Sequence, residues 1–123
     1  MNIIKSLMLS VVAATALFGC MPSSFDEKLL PGEWRGAKWV VEGQTEEIDA
    51  STAIFSFEPD GTYKYSYNDA VEKGKYYMAN NELFTTPEGG IKMMVKVQKL
   101  TQDSLIFNMN RGGQSETLTL IRN

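Results

Sequence analysis

From Pro31 onward the apolar residues recur with a period of two, and no stretch keeps a helical period for three turns. Alternating runs bounded by turn residues predict eight strands: Glu33–Glu42, Thr52–Glu58, Thr62–Asn68, Val71–Ala79, Glu82–Thr86, Ile91–Leu100, Ser104–Asn110 and Ser115–Arg122. The links carry turn chemistry. Pro59-Asp60-Gly61 supplies a fixed φ, an Asx acceptor and a residue free to take positive φ. Asn68-Asp69, Asn80-Asn81, Pro87–Gly90, Thr101–Asp103 and Arg111–Gly113 act alike. Every link but one is short, so sequential strands are expected to pair antiparallel with their neighbours. The fold class predicted is all-β, an eight-stranded antiparallel up-and-down barrel whose closure removes both sheet edges. A flattened or half-open arrangement of the same strands is the alternative.

Parity along each run sorts the faces. Ala53, Phe55 and Phe57 share one side, as do Ile91, Met93, Val95 and Val97, with Lys92, Lys96 and Gln98 opposite. Leu105, Phe107 and Met109 line up, and so do Leu118 and Leu120; these are the expected inward positions. Trp34 and Trp39 have opposite parity, so both face inward only if a bulge intervenes, and Gly36-Ala37 is the place for it.

The first 30 residues break this pattern. A short basic start at Lys5, an apolar run from Leu7 to Phe18 and small Gly19 before Cys20 describe a secretory signal over residues 1–19. The run falls short of the roughly 20 residues that span a bilayer. Leu17-Phe18-Gly19-Cys20 resembles the bacterial lipobox, although Phe18 is bulkier than usual for that position. The resemblance implies that Cys20 carries a diacylglyceryl group, becomes the mature N-terminus and inserts in membrane lipid. Met21 after the cysteine favours outer-membrane sorting, with the periplasmic or surface face left open. Residues 20–30, with Pro22 and two serines, read as a lipidated tether, and residues 31–123 as the domain.

Composition removes several chemistries. The chain has no histidine and Cys20 is its one cysteine, which excludes Ser-His-Asp and Cys-His nucleophile systems, a Cys/His zinc site and an internal disulfide. Twelve Lys+Arg face 15 Asp+Glu, and losing Lys5 with the signal segment makes the mature chain more acidic still. Nucleic acid is not expected as a partner. Glu42, Glu46, Glu47 and Asp49 lack the glycine and alternating ligands of a calcium loop and read as solvated. No catalytic residue, metal or cofactor is assigned, and the expectation is a protein that is not an enzyme.

Gly32-Glu33-Trp34 at the start of the first strand, with Arg122 at the end of the last, resembles the lipocalin and wider calycin signature. Leu30-Pro31-Gly32-Glu33-Trp34, Phe57-Glu58-Pro59-Asp60-Gly61-Thr62-Tyr63, Gly74-Lys75-Tyr76 and Asp103-Ser104-Leu105 look like the small lipocalin-like lipoproteins of Bacteroidota-type bacteria. The resemblance covers about residues 29 to 122 and implies a barrel without naming a ligand. Strand counting independently brings Arg122 back beside Trp34, where its guanidinium is expected to lie across the indole. Gly32, Trp34 and Arg122 are therefore the expected closure of one end. Links 43–52, 69–70, 87–90 and 111–113 ring the other end, the mouth, and in calycins the first of these often acts as a lid.

Tyr63, Tyr65 and Tyr67 occupy one face of one strand at steps of roughly 7 Å. Facing inward, they form a ladder of phenols able to bond a ligand's polar end while packing its apolar body. Met78, Met93 and Met109 have inward parity, and Met93 and Phe107 join the ladder as candidate binding residues. Arg111, at the mouth, is the cation placed to meet an acidic head group. Rings and thioethers also fill small barrels outright, and so short a mature chain favours an interior largely occupied by its own side chains. Two functions follow: a membrane-anchored barrel holding a small apolar or amphipathic ligand such as a fatty acid, or a filled barrel engaging an envelope protein.

Overall fold

The computed structural model describes residues 24–123; the signal segment, Cys20 and the start of the tether lie outside them. A 3-10 turn at Glu27–Leu29, capped by Asp26 accepting from the Lys28 amide, leads into eight strands. These are β1 (Gly32–Val41), β2 (Ile54–Phe57), β3 (Thr62–Tyr67), β4 (Ala70–Ala79), β5 (Glu82–Pro87), β6 (Met93–Leu100), β7 (Ser104–Arg111) and β8 (Gln114–Arg122). Each pairs antiparallel with the next, and β8 returns to β1, so the sheet is a closed up-and-down barrel rather than a sandwich. Asn68-Asp69 and Asn80-Asn81 take positive φ at both turn positions, matching the twist of the strands they join.

The bulge in β1 falls between Gly36 and Lys38, where the register against β8 shifts by one residue. It turns both Trp34 and Trp39 inward, at 0% and 5% exposure. Gly36 is required there because a Cβ would overlap the Ala50 carbonyl of the long β1–β2 link. That link is no free lid. The Ile48 amide donates to the Trp39 carbonyl, Ala50 is buried, and the Tyr67 hydroxyl donates to the Asp49 carbonyl. It is strapped along β1 and onto β3.

Two expectations need correction in β6. The strand starts at Met93, paired with Thr85, and Ile91 stands 79% exposed in the preceding link instead of facing inward. The Gly90 amide donates to the Pro87 carbonyl and Gly89 takes φ 75°, so the turn consumes residues that parity alone assigned to the strand. A second bulge between Val97 and Lys99, absent from the sequence reading, brings Leu100 inside with Val97.

The core is uneven. Trp34, Leu30, Phe57, Leu83, Leu105 and Leu120 are fully buried and fill the end at which the chain enters the barrel. Burial of each such side chain contributes about 1.5–3 kcal/mol. Toward the other end the inward residues Phe55, Tyr65, Tyr67, Val95 and Met109 are only partly buried, and the packing opens into a cavity.

Candidate functional site

At the filled end, Arg122 sits opposite Trp34 in the β1–β8 register with its guanidinium carbon 4.0 Å from the indole centroid. Its Nη1 donates to Pro31 O, Nη2 to Leu29 O and Nε to Gln102 O. Trp34 Nε1 donates to Leu30 O, so the segment entering β1 is bound from both sides. Gly32 makes room for this: its φ of 132° suits glycine, and a Cβ would overlap Arg122 Nη1. The end is sealed by hydrogen bonds that leave no guanidinium nitrogen idle.

The mouth is built otherwise. A cavity of about 350 Å³ opens there, walled by Phe55, Tyr65, Phe107, Met109 and Leu118, with Met93 at its rim. A second recess of about 400 Å³ adjoins it, and the two share Trp39, Tyr65, Glu72 and Arg111. Aromatic rings form a continuous series into the barrel: Tyr65 stacks on Phe55 at 4.3 Å, and Phe55 meets the edge of Phe107 at 5.6 Å. Trp39 and Tyr67 lie 5.3 Å apart beside them.

One carboxylate, Glu72, lines this aromatic chamber, and a second, Glu116, is bonded to its lining residue Trp39. Glu116, 8% exposed, accepts from Trp39 Nε1 at 2.9 Å through Oε1. Arg111 Nη1 lies 3.8 Å from the same oxygen, with the arginine side chain largely in solvent. Glu72 accepts from the Tyr63 hydroxyl at 2.6 Å. Burial first, and then the bond to Glu72, push the Tyr63 hydroxyl well above its ordinary pKa. Burial also raises Tyr65 and Tyr76. All three phenols stay protonated at neutral pH; Tyr63 and Tyr76 donate, to Glu72 and to the Glu58 carbonyl.

The predicted residues distribute as follows. Tyr63, Tyr65 and Tyr67 face inward, but two hydroxyls are already engaged, Tyr63 by Glu72 and Tyr67 by the strap. Among the described residues only the Tyr65 hydroxyl of the ladder lacks a protein acceptor while lining the cavity. Phe107 forms part of the cavity wall, Met93 is half exposed at its rim, and Arg111 is drawn toward Glu116. Cys20 lies outside the described residues. Trp39, Glu72 and Glu116 were missed as site residues. For Glu116 the signal was present, because it shares parity with inward Leu118 and Leu120. Glu72 likewise shares parity with Gly74 and Met78, which face the interior of β4. Among the described residues no group of three or more acidic or cysteine side chains is placed to hold a metal ion.

A closed eight-stranded up-and-down barrel, sealed at one end by an arginine over a tryptophan and hollow at the other, is the architecture of a small-ligand-binding type of protein. Residues 30–107, well over half the chain, match the family model of the lipocalin-like domain, and the chain belongs to that family. No curated protein matches it. Among solved structures it is similar to an uncharacterized protein from Bacteroides eggerthii, with TM-score 0.59 and 12% identity, covering 76% of this chain and 98% of the other. It is also similar to a lipocalin-like protein from Bacteroides uniformis, with TM-score 0.56 and 19% identity, covering 77% and 98%. At these identities the likeness shows the fold.

Proposed function

We propose that the protein is a lipid-anchored carrier holding a small apolar or amphipathic ligand in the mouth cavity. The observation that carries this reading is the half-filled barrel: one end is packed solid, while the other keeps about 350 Å³ open at the mouth and lined largely by rings, thioethers and aliphatic side chains. That volume lies in the range of small-ligand sites, which start at about 300 Å³. The Tyr65 hydroxyl and Glu72 supply polar contacts beside the apolar wall. Charge refines the ligand. Arg111 is offset by Glu116, which leaves Glu72 as the balance of the lining, so a hydroxyl or amine head group fits better than a fatty carboxylate. The role is binding rather than catalysis, in keeping with the general use of lipocalin-like barrels. Acylation of Cys20 would hold the barrel at the outer membrane, because two or more acyl chains keep a protein stably on a bilayer.

Fluorescence of N-phenyl-1-naphthylamine, a neutral amphiphile, tests the cavity. The probe is expected to brighten on binding and to be displaced by dodecylamine and dodecanol better than by dodecanoate. Native mass spectrometry after passage through an envelope extract should then reveal a discrete added mass. No brightening, together with a bare polypeptide mass from every extract, would overturn the carrier reading and point to an envelope protein partner.

A further inference from the structure

The outer wall of the barrel is as uneven as its interior. Lys64, Lys73, Lys75, Lys92, Lys96 and Lys99 are all exposed on β3, β4, β6 and the β5–β6 link, half of the 12 cations of an acidic chain. On the outer faces of β3 to β6 and in that link, the carboxylates are Glu82 and Glu88, with Asp69 in the β3–β4 turn. By contrast, five of the 15 carboxylates fall between residues 33 and 49, on β1 and the link after it, while Asp26 and Glu27 lie in the entering segment.

Apolar exposure falls on the same wall. Among the described residues the exposed large apolar side chains are Val71, Tyr77, Ile91, Met93 and Met94, every one between residues 71 and 94. Tyr77, Phe84 and Met94 are register partners across β4, β5 and β6 and so form one outward row. Tyr77 stacks on Phe84 at 4.7 Å, and the Lys92 ammonium sits 5.4 Å and 5.5 Å from the two ring centroids. Lysines around a half-exposed aromatic row match a surface with an anionic polar layer over an apolar interior.

The first described residues approach the barrel on this side. The Phe25 amide donates to Asn81 Oδ1, so the N-terminal segment leaves the barrel at the β4–β5 turn, beside the Tyr77–Phe84 pair. Cys20 and Phe25 are five chain steps apart, with four residues between them. The steps reach at most about 18 Å even when fully extended. An acylated Cys20 would thus hold the β4–β5 hairpin close to the lipid, and the opposite wall, β8 and β1, away from it.

We infer that the β3–β6 outer wall is a membrane-docking face, which lays the lysines on anionic lipid head groups and the Tyr77–Phe84–Met94 row against the interface. Met94 belongs both to this wall and to the cavity lining, with Met93 next to it at the rim, so the docked barrel opens its cavity beside the bilayer. The inference rests on the anchoring proposed above, and its test separates the two. The mature chain is purified with its anchor and reconstituted into vesicles of phosphatidylcholine with phosphatidylglycerol. One spin label is placed at Phe84→Cys, and in a second sample at Thr119→Cys on the outer face of β8; an acylated Cys20 leaves no competing thiol.

Collision with lipid-soluble oxygen, relative to a water-soluble nickel chelate, is expected to be several-fold higher at position 84 than at 119. The difference should shrink at least twofold in pure phosphatidylcholine, at high salt, and in the triple variant Lys75→Glu, Lys92→Glu, Lys96→Glu, where the anchor alone remains. Equal water access at the two positions on anionic vesicles would overturn the inference. So would protection of position 84 by polyglutamate but not by vesicles, which would assign the wall to an acidic macromolecule. Intact mass decides the anchor first. If the diacylglyceryl group is absent, co-sedimentation of the unanchored chain decides the wall: binding to anionic but not neutral vesicles sustains it, and no binding refutes it.

Discussion

The two ends of this barrel use the same residue types to opposite effect. At the closed end an arginine and a tryptophan meet with every guanidinium nitrogen bonded to a backbone carbonyl. At the mouth an arginine and a tryptophan also converge, but on one carboxylate oxygen of Glu116, with Arg111 at 3.8 Å and largely in water. The first set is satisfied by the chain's own backbone and has nothing left to offer a ligand. The second surrounds empty volume and keeps hydrogen-bonding capacity facing it. Packing is therefore concentrated at one end and open volume at the other, the separation expected where a rigid scaffold carries a functional rim.

Truncation of the closed end is expected to be the costliest change. Trp34→Ala removes a completely buried ring and should cost about 3–5 kcal/mol in a urea titration. Arg122→Ala strands the carbonyls of Leu29, Pro31 and Gln102 and loses the cation–π contact, at about 2 kcal/mol. In the double variant the losses should fall short of their sum, since each single change already breaks the shared contact. Strict additivity would show that the stacked geometry contributes nothing.

That closure was legible in the sequence because it rests on counting. Eight runs of period two bring the end of the chain back to its first strand, and the parity clash of Trp34 and Trp39 demanded the bulge found beside Gly36. The cavity was not legible in the same way. Whether inward side chains meet or leave space depends on distances across the barrel, which parity does not contain. The second bulge had no such flag, because Val97 and Leu100 flank it with no glycine to mark it. Attention to the apolar residues also hid Glu72 and Glu116, although both stand on inward parity. The six lysines of the outer wall were plain as residues, but only the register gathers them on one face.

At the mouth the expected effects on stability are smaller and depend on which atom is removed. Glu116→Leu leaves the Trp39 indole N–H buried without an acceptor and should cost about 1–3 kcal/mol. Glu116→Gln keeps an acceptor and gives up only the solvent-screened pairing with Arg111, so less than half of that loss is expected. Comparable losses for the two variants would mean that the ion pair, rather than the indole bond, holds the mouth.

Alkaline pH probes the Tyr63–Glu72 contact. Burial and the neighbouring carboxylate raise the ionisation of Tyr63 above its ordinary value of 10.0. The folded state then retains a proton that the unfolded chain releases, so this contribution is complete below about pH 10 and is lost as pH climbs through the folded value. Stability of the parent should fall above that pH, and Tyr63→Phe should flatten the fall in part, because Tyr65 and Tyr76 are raised as well. An unchanged slope would remove Tyr63 from the account.

The smallest expected effect on folding is the sharpest on function. Tyr65→Phe deletes the phenol oxygen of the ladder that no protein acceptor engages, and leaves the ring to stack on Phe55 at 4.3 Å. The melting temperature should therefore stay with the parent. Binding of dodecanol, read by displacement of N-phenyl-1-naphthylamine, should weaken by about fivefold, the equivalent of one neutral hydrogen bond of about 1 kcal/mol. Arg122→Ala makes the complementary comparison: it should lower stability and leave the affinity of the folded fraction unaltered. If both variants changed affinity alike, the two ends would be coupled through the barrel. If Tyr65→Phe changed neither property, the polar end of the ligand would have to be met by Glu72.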